Sequence, residues 1–490
     1  MAALKKITLA LVAAALTLAA LLIGRTVRSA SRQPIVAPAS LIDVDAPGAA
    51  ATLAGALRFK TVSNQDPTQL DASQFHGLAD YIEQRFPHVH AALRRETVND
   101  YSLVYTWPGR SSGKPILLLA HLDVVPVDAA TESQWTQPPF DGVIADGYVW
   151  GRGALDDKNS VLAILEAVER MLANGEQPAR PVILAFGHDE EVSGERGAAA
   201  IAARLKEQGV EPALVLDEGG TILMGLVPGL SAPVASIGTA EKGYLSVELK
   251  AQGAGGHSSI PPARTAIGVL SDAVHRLEEH PVPSNLSASM GVGFEYLGPE
   301  MVFPLRVVFA NLWLFAPLVE RTLAASPASN AAIRTTTAPT IFQGGVKDNQ
   351  LPTAARAVIN FRILPGETVA TTLDHVRRTI DDPSVGVEAL SGGSDPSPTS
   401  DIDSPAFAYL ARTIRATNPD ALVTPFLVLG ATDARHYTDL SRNVFRFSPT
   451  RTKADDLTRF HGINERIAVA DYAAMIQFYV ELLRGLDGMK

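Results

Sequence analysis

The sequence lacks cysteine altogether. Disulfide bonds and thiolate metal sites are therefore both excluded, and folding does not depend on the redox compartment. It also lacks a long basic run, and its net charge of −10 excludes the electrostatic footprint of a nucleic-acid-binding protein. Charged residues make up only 19% of the chain and hydrophobic residues 46%, which indicates a folded globular protein. Because 490 residues are too many for one hydrophobic core, we expect two compact domains and an appendage.

An uncharged apolar run, residues 7–24, lies near the N-terminus. Basic residues flank it on both sides: Lys5, Lys6, Arg25, Arg28 and Arg32. At about 1.5 Å per residue, a helix of this length nearly matches a hydrocarbon core of about 30 Å. We therefore expect a membrane anchor facing the periplasmic or extracytoplasmic side, and a cleaved signal peptide ending near residues 29–31, giving a secreted protein, is the alternative. Because both flanks are basic, the orientation is only weakly specified.

The pattern of strand and helix signals divides the rest of the chain. Residues 1–48 comprise the apolar run and a tether rich in proline, alanine and serine. Strand and helix signals alternate over 49–238, which predicts an α/β domain with a mostly parallel sheet. Residues 239–397 have the pattern of a smaller α+β domain inserted into the larger one, with an apolar insertion at 281–325. The alternation resumes over 398–490, which we assign to the second part of the larger domain.

The segment Met301–Val319 is the most apolar part of the insertion. Prolines and polar residues within it argue against a second membrane span: Pro304, Arg306, Asn311 and Pro317. We interpret the segment as the core of the insertion. An apolar surface for a lipid-like substrate or for the bilayer is the alternative interpretation.

Acidic residues and histidines cluster directly after, or within, short apolar runs. These runs are PILLLAHLDVV, YVWGRGALDDK, PVILAFGHDEE and ALVLDEGG. Such runs are typical of strands in an α/β sheet, where ligand sites gather at the carboxyl ends of the strands. The clusters supply the oxygen and imidazole donors that divalent metals require. Their members are His121, Asp123, Asp156, Asp157, Asp189, Glu190, Glu191, Asp217, Glu218 and the distant His461.

Two histidines and three carboxylates can hold two zinc-class ions if one carboxylate bridges them, and a water between the ions then becomes the nucleophile. A further carboxylate must accept the proton of that water and cannot itself be a ligand. Glu190 and Glu191 suit this division, because one can coordinate while its neighbour faces the water. Asp123 lies two residues after His121, so on a strand both side chains would point to one face, where Asp123 could accept the imidazole N–H.

Each cluster alone also has a structural interpretation. Asp156 or Asp157 could cap the amphipathic helix that begins near Asn159. The acidic run that contains Glu190 could be a solvated surface segment, and the aspartate of the HLD sequence could be a helix cap. The joint occurrence of the clusters after apolar runs favours a metal site.

The ordered motifs LLLAHLDVVP, WGRGALDDK, GHDEEVSGERGA, LVLDEGG, GGHSSIP, GATDAR and FHGINER resemble those of the co-catalytic zinc metallopeptidase superfamily of carboxypeptidase S, aminoacylase and glutamate carboxypeptidase. The resemblance spans about residues 50–490. It is closest to the branch of carboxypeptidase S and the N-fatty-acyl-amino-acid synthase/hydrolases, on the segments ANLWLFAPL, RTTTAPTIFQGGVKDNQLP and VINFRILPGE. It implies a catalytic domain of the phosphorylase/hydrolase-like type interrupted by a smaller lid or dimerisation domain.

The resemblance also implies roles for the clustered residues. Asp156 would bridge two Zn²⁺ ions, which Co²⁺ or Mn²⁺ could replace. The remaining ligands would be His121 and Glu218 on one ion and Glu191 and His461 on the other, with Asp217 as the alternative to Glu218. Glu190 would be the general base and Asp123 the residue that orients His121. The Asp156–Asp157 peptide bond would be cis, and Asn159, where relatives have glycine, would leave the ligand intact.

Three further residues take roles from the same resemblance. His257 would be a lid histidine that polarises the scissile carbonyl, often across a dimer, although a turn histidine among glycines is the alternative. Asn349 would be a lid residue that contacts the substrate. Arg435 would clamp a substrate carboxylate, unless it forms a structural ion pair with Asp433.

The sequence therefore predicts a two-zinc amidohydrolase that cleaves or forms the amide between an acyl group and an amino acid with a free carboxylate. N-fatty-acyl amino acids are the preferred substrate class, and short peptides are the alternative. A catalytically inactive, membrane-anchored binding module is the alternative from a different class. The expected partners are a small-molecule or short-peptide substrate, the membrane through the N-terminal segment, and a second copy of the chain through the lid.

Overall fold

Strands and helices alternate along most of the chain in this computed structural model, which describes residues 1–286 and 290–489. The helices are α1 Ala2–Arg28, α2 Ala46–Ala56, α3 Ala72–Arg85, α4 Pro87–Ala92, α5 Lys158–Ala173, α6 Ala198–Glu207, α7 Ala266–Glu279, α8 Met290–Leu297, α9 Phe303–Ala310, α10 Leu312–Leu323, α11 Pro327–Ile333, α12 Val369–Ile380, α13 Pro405–Thr417 and α14 Val469–Arg484. The strands are β1 Arg94–Val98, β2 Ser102–Trp107, β3 Ile116–His121, β4 Val143–Ala145, β5 Tyr148–Trp150, β6 Val182–Gly187, β7 Leu214–Asp217, β8 Ile222–Leu223, β9 Val234–Glu241, β10 Gly243–Gln252, β11 Gly256–His257, β12 Thr336–Gly344, β13 Gln350–Leu351, β14 Ala354–Ile363, β15 Val385–Ala389, β16 Leu422–Val428, β17 Val444–Arg446, β18 Arg451–Thr452 and β19 Arg466–Ala468.

The larger sheet has the order β1-β2-β6-β3-β7-β17-β9-β8-β18, and β16 pairs with β9. Its central strands β6, β3, β7 and β17 are parallel, whereas β1 and β2 form an antiparallel edge. Alternate residues of β3 and β6 pack against α5 and α14 on one face and against α6 on the other. Coverage on both faces explains why these strands are continuous apolar runs. The predicted α/β class with a mostly parallel sheet is confirmed.

The smaller sheet is antiparallel and has the order β12-β14-β10-β15. Helices α7 and α12 pack against it and share a core with residues of β10 and β14. The sheet lies within 243–389, inside the range predicted for the lid, although the domain boundaries themselves stay a prediction.

Only Lys242 separates β9 from β10, and its buried ammonium donates to the carbonyl oxygens of Ala331 (2.9 Å) and Arg334 (2.8 Å).

The N-terminal helix α1 contains an 18-residue window of mean hydropathy 2.5 that the rest of the described chain does not cover. By length and composition it could cross a membrane, and a signal sequence would meet the same criteria. The interpretation of Met301–Val319 as insertion core is only partly right. Met301 and Val319 are buried, but other apolar side chains of this segment are exposed: Val302, Phe303, Trp313, Leu314 and Leu318.

A buried ion pair connects β9 with β17 in the larger sheet. Arg446 Nε lies 2.6 Å from Glu241 Oε1, and both side chains are buried. Glu241 also accepts hydrogen bonds from the backbone N–H (3.0 Å) and hydroxyl (2.8 Å) of Thr432. The pair therefore fixes the turn at 432–437 beside the carboxyl ends of the central strands.

Replacing Arg446 with leucine should destabilise the fold, because it leaves the Glu241 carboxylate buried without its cation. Removing one partner of a buried pair typically costs about 3–5 kcal/mol. Urea unfolding followed by circular dichroism measures the loss. The exposed pair Lys114–Glu211 (2.7 Å) offers the matched control, and we expect Lys114→Met to change the midpoint little. Equal midpoints for Arg446→Leu and the unchanged chain would contradict the prediction.

Candidate active site

The carboxyl ends of three neighbouring parallel strands bring most of the predicted site together. His121 is the last residue of β3, Asp189 follows β6 by two residues, and Glu218 follows β7 directly. These ends share one edge of the sheet because the strands are parallel. The prediction of a strand end was wrong for Asp156, since β5 belongs to a separate small sheet with β4 and β19. Asp156 instead lies in the loop between β5 and α5.

Asp156 lies between the two histidines of the cluster. Its Oδ1 is 3.0 Å from His121 Nε2, and its Oδ2 is 2.9 Å from His461 Nε2. His461 Nε2 is also 3.2 Å from Glu191 Oε2, and His121 Nε2 is 3.9 Å from Glu218 Oε1. Two groups of potential metal ligands therefore share Asp156. A further group combines His121 with Glu190 and Glu191, and in each of the three groups the potential ligand atoms lie within 4.8 Å of one another.

The peptide bond between Asp156 and Asp157 is cis, as the resemblance implied. Helix α5 begins at Lys158, but the Asp157 side chain makes no capping hydrogen bond. The backbone N–H groups of Leu155 and Asp156 donate to the buried Glu465 carboxylate, at 2.8 and 3.3 Å. Asp156 is thus held beside the cluster, whereas Asp157 occupies the N-cap position of α5 without a capping hydrogen bond from its side chain.

The Asp123 carboxylate holds both the histidine and the glutamate pair. It lies 3.3 Å from His121 Nδ1, and it accepts hydrogen bonds from the backbone N–H groups of Glu190 (3.2 Å) and Glu191 (3.1 Å) and from the Ser63 hydroxyl (2.6 Å). The argument that placed Asp123 on the same face of a strand was wrong, because β3 ends at His121. Asp123 reaches the imidazole by the turn of the chain after the strand.

Burial and mutual charge shape the protonation of the cluster. Burial raises the pKa of Glu190 and Glu218 well above their usual range. Although burial acts in the opposite direction, hydrogen bonds with His121 and His461 hold the pKa of Asp156 below its usual range. Hydrogen bonds to Asp156 and Glu191 raise the pKa of His461 to about 10. So many carboxylates in a buried site require cations nearby.

The donor set of the cluster fits divalent metal ions. Oxygen and imidazole donors are the ligands that zinc-class ions accept in proteins. Glu191 Oε1 is buried and has no hydrogen-bond partner among residues 1–286 and 290–489, so it presents an unsatisfied acceptor to the cluster. His461 is half-exposed, which leaves this side of the cluster open to solvent.

Asp217 points away from the cluster. Its Oδ2 accepts a hydrogen bond from the Ala434 N–H at 2.7 Å, and burial raises its pKa to about 6. None of the potential ligand groups in the described chain includes Asp217, whereas one of them includes Glu218. The geometry therefore favours Glu218 over its neighbour.

The three residues assigned to substrate contacts lie outside the cluster. His257 pairs with Gln350 in the short ribbon of β11 and β13, and Asn349 directly precedes that ribbon, where its carbonyl oxygen accepts from the Ser258 N–H (3.1 Å). His257 is exposed, and its Nδ1 contacts the Ser259 hydroxyl at 2.8 Å. Arg435 makes no salt bridge to Asp433 within the described part of the chain. Its Nη2 donates instead to the Ser193 carbonyl oxygen at 2.6 Å.

The residues that brace the site were missed from the sequence. Arg152 and Glu465 form a buried ion pair (2.6 Å), and Arg152 Nη2 also donates to the carbonyl oxygens of His461 and Gly462, both at 3.2 Å. The signal that could have found them is a charged residue inside each of the motifs WGRGALDDK and FHGINER. Charged side chains are almost never buried unless they are paired.

Comparisons with known proteins agree with this geometry. The sequence profile of the peptidase family M20/M25/M40 matches residues 117–485. Probable carboxypeptidase S-like 2 of Dictyostelium discoideum is 41% identical over 481 residues, which cover 95% of this chain and 92% of the relative. The N-fatty-acyl-amino acid synthase/hydrolase PM20D1 of Xenopus tropicalis is 42% identical over 440 residues, covering 89% and 85%. The crystal structure of the M20 family metallo-carboxypeptidase Sso-CP2 from Sulfolobus solfataricus has a TM-score of 0.64 at 19% identity, covering 89% of this chain and 98% of that one.

The fold and the metal-ligand cluster define the class of protein: a metal-dependent hydrolase that acts on peptide or amide bonds. Within that class, the chain belongs to the peptidase family M20/M25/M40. The resemblance inferred from the ordered motifs is thereby confirmed.

Metal uptake should release the proton of His461. The pKa of His461 is about 10 in the metal-free chain, and a metal ligand must be a neutral imidazole. Below pH 10 the proton therefore competes with the metal, and apparent affinity should rise with pH up to that value. At pH 8 we expect His461→Gln to reduce proton release by about one proton per chain at saturating Zn²⁺.

Calorimetry in buffers of different ionisation enthalpy measures this release. His275→Gln, at an exposed position of helix α7, is the matched control and should behave as the unchanged chain. Equal proton release by the His461→Gln variant and the control would show that His461 does not titrate with metal binding.

Proposed function

We propose that this hydrolase is a two-metal amidohydrolase. Its substrates would be compounds in which an acyl group is joined by an amide bond to an amino acid with a free carboxylate. The observation that carries the proposal is the position of Asp156, whose two carboxylate oxygens each face a different histidine. A carboxylate so placed suits a bridge between two ions.

The ligands divide into two sets around Asp156. His121 and Glu218 complete one set, and Glu191 and His461 complete the other. Two bound Zn²⁺ ions, or Co²⁺ or Mn²⁺ in their place, would polarise the substrate carbonyl and lower the pKa of the attacking water. The orphaned Oε1 of Glu191 supports its assignment as a ligand. Asp123 would fix the tautomer of His121, because its backbone carbonyl oxygen lies 3.0 Å and its carboxylate 3.3 Å from Nδ1.

Glu190 is the general base in this proposal. It is the carboxylate of the cluster left over when the two ligand sets are complete, and burial raises its pKa. A raised pKa suits a group that takes a proton from water and later gives it to the leaving amine. Hydrogen bonding of its backbone N–H to Asp123 holds the turn that presents its side chain.

The residues outside the cluster would act on the substrate. His257 would donate a hydrogen bond to the developing oxyanion when the lid meets the site. Arg435 would bind the substrate carboxylate, because a guanidinium pairs with it in a bidentate manner. Asn349, directly before the ribbon that carries His257, would contact the substrate from the lid. If His257 acts on substrate bound in a second copy of the chain, the functional unit would be a homodimer.

N-fatty-acyl amino acids are the substrate class we prefer, in a protein anchored in the membrane by α1 and facing the extracytoplasmic side. Similarity to the PM20D1 relative supports this class. The carboxypeptidase S-like relative keeps short peptides as the second candidate. Retention of Glu190 and all five ligands argues against an inactive binding module.

Glu190→Gln should lower kcat by about 10²–10⁴-fold, because the amide cannot accept the proton of the water. Its metal content, measured by inductively coupled plasma mass spectrometry, should equal that of the unchanged chain. Glu195→Gln, an exposed acidic residue five positions further along the same loop, is the control and should keep both activity and metal. Loss of metal from Glu190→Gln would make Glu190 a ligand, and full activity would remove it from catalysis.

The substrate class is tested by comparing the kcat/KM values of two substrates on the Zn²⁺-loaded protein. We expect kcat/KM for N-oleoyl-phenylalanine to exceed that for the dipeptide Gly-Leu, because an acyl pocket gains affinity from each buried methylene. Release of phenylalanine and leucine, measured by liquid chromatography, gives both values. Much faster turnover of the dipeptide would favour the carboxypeptidase alternative and leave the two-metal mechanism intact.

A further inference from the structure

The insertion presents an exposed apolar edge to its surroundings. Helices α9 and α10 meet at 111°, and we call this pair, Phe303–Leu323, the elbow. Its apolar edge consists of large side chains that are 39–59% exposed: Phe303, Trp313, Leu314 and Leu318, with Val302 just before the elbow. Leu314 and Leu318 are about one turn apart on α10 and share a face, and Trp313 is adjacent to Leu314. Contiguous exposed apolar surface of this kind marks a binding surface.

The apex of the elbow is attached to the last turns of α1. Asn311, at the bend, is buried, and its amide donates to the Leu22 carbonyl oxygen (3.2 Å) and the Thr26 hydroxyl (3.4 Å). Arg25 Nε donates to the Ala310 carbonyl oxygen at 3.4 Å. The apex of the elbow therefore lies against the C-terminal end of α1, whose apolar window is not covered by the rest of the described chain.

The chain that follows α1 is also fixed to the protein. Arg306 on α9 donates to the Ser29 carbonyl oxygen at 3.1 Å. The Gln33 amide group accepts from the N–H of Val423 (2.7 Å) and donates to its carbonyl oxygen (3.0 Å). The predicted tether is therefore attached to the folded protein at its start. Asn311 and Arg306 of the folded protein both bind residues within 22–29. These contacts favour retention of α1 over its removal as a signal peptide.

The depth of the elbow follows from where it contacts α1. Leu22 lies near the end of the apolar run 7–24, and Thr26 lies just beyond it. The bend is therefore level with the boundary between the hydrocarbon core and the headgroups. The limbs have 8 and 12 residues, roughly 12 and 18 Å at about 1.5 Å per residue, and each is too short to cross the bilayer.

The side chains around the elbow suit this level of a membrane. Tryptophan is enriched at the interface, and Trp313 presents an apolar ring beside an N–H that is 3.3 Å from Asn311 Oδ1. Arg28 at the end of α1 and Arg321 near the end of α10 are exposed and can pair with lipid phosphates.

We propose that the elbow is a second membrane contact, whose apolar edge lies among the lipid acyl chains of the leaflet that surrounds the C-terminal end of α1. The elbow does not span the bilayer but lies in its surface. Together with α1 it gives the catalytic domain a defined orientation, since one helix alone leaves rotation about its axis free. The inference requires that α1 be retained, and it does not depend on the substrate class.

The absence of cysteine makes the test direct, because a single introduced cysteine carries the only label. Phe303→Cys, Trp313→Cys and Leu318→Cys are each spin-labelled in the full chain and reconstituted into vesicles of phosphatidylcholine and phosphatidylglycerol. Leu11→Cys in α1 serves as the lipid-exposed control. Ile144→Cys on β4, which is 47% exposed, serves as the water-exposed control.

Power saturation compares the access of oxygen, which concentrates in lipid, with that of a water-soluble nickel chelate. We expect the ratio of oxygen access to nickel access at the three elbow positions to match the ratio at position 11. It should be higher than the ratio at position 144, where the water-soluble nickel chelate has the greater access. A ratio like that at position 144 would overturn the proposal. Shielding from both reagents would also overturn it, because a second copy of the chain would then cover the edge.

Tryptophan fluorescence gives an independent measurement on the unlabelled protein. The chain has four tryptophans, and Trp107, Trp135 and Trp150 are at most 9% exposed. In vesicles with brominated acyl chains we expect quenching of the native protein and loss of most of that quenching in Trp313→Phe. Unquenched native protein would contradict the proposal.

Discussion

The buried ion pair between Arg152 and Glu465 joins the two loops on which the metal cluster depends. Glu465 accepts the backbone N–H groups that lead into Asp156, and Arg152 binds the carbonyl oxygens of His461 and Gly462. Asp156 and His461, more than 300 positions apart in the sequence, are thereby held with Oδ2 and Nε2 2.9 Å apart. A pair buried in this way is costly to desolvate, and its hydrogen bonds to both loops offset that cost. The main effect of the Arg152–Glu465 pair is therefore to hold the two loops in position.

Asp123 has the corresponding role on the other side of the cluster. A single carboxylate contacts His121 and the backbone of both glutamates, and Ser63 fixes its orientation. The positions of His121 at the end of β3 and of the glutamate pair after β6 thus depend on one shared acceptor. The sheet brings the strand ends to one edge, and the buried charges set the final distances between side chains.

The sequence was most informative where a local pattern is compatible with only one kind of element, as a continuous apolar run is with a strand buried on both faces. The runs ending at His121 and Asp217 are continuous and apolar because helices cover β3 and β7 on both faces, so the ends of these strands, and the acidic and histidine side chains that meet there, could be predicted together. The run before Asp156 misled, because a short hairpin strand in another sheet has the same apolar appearance. Arg152 and Glu465 were missed because their pairing spans most of the chain. The elbow was only half predicted, since composition does not show which side of a helix a partner will cover.

Strand β16 pairs with β9 alone in the described structure, so its other side is an edge with unpaired backbone groups. The Gln33 side chain binds both the N–H and the carbonyl oxygen of Val423 on that side. A primary amide has the donor and acceptor of a peptide group, so one side chain substitutes for one residue of a missing neighbouring strand. The segment that leads from the membrane helix into the fold therefore also protects a sheet edge against pairing with another chain.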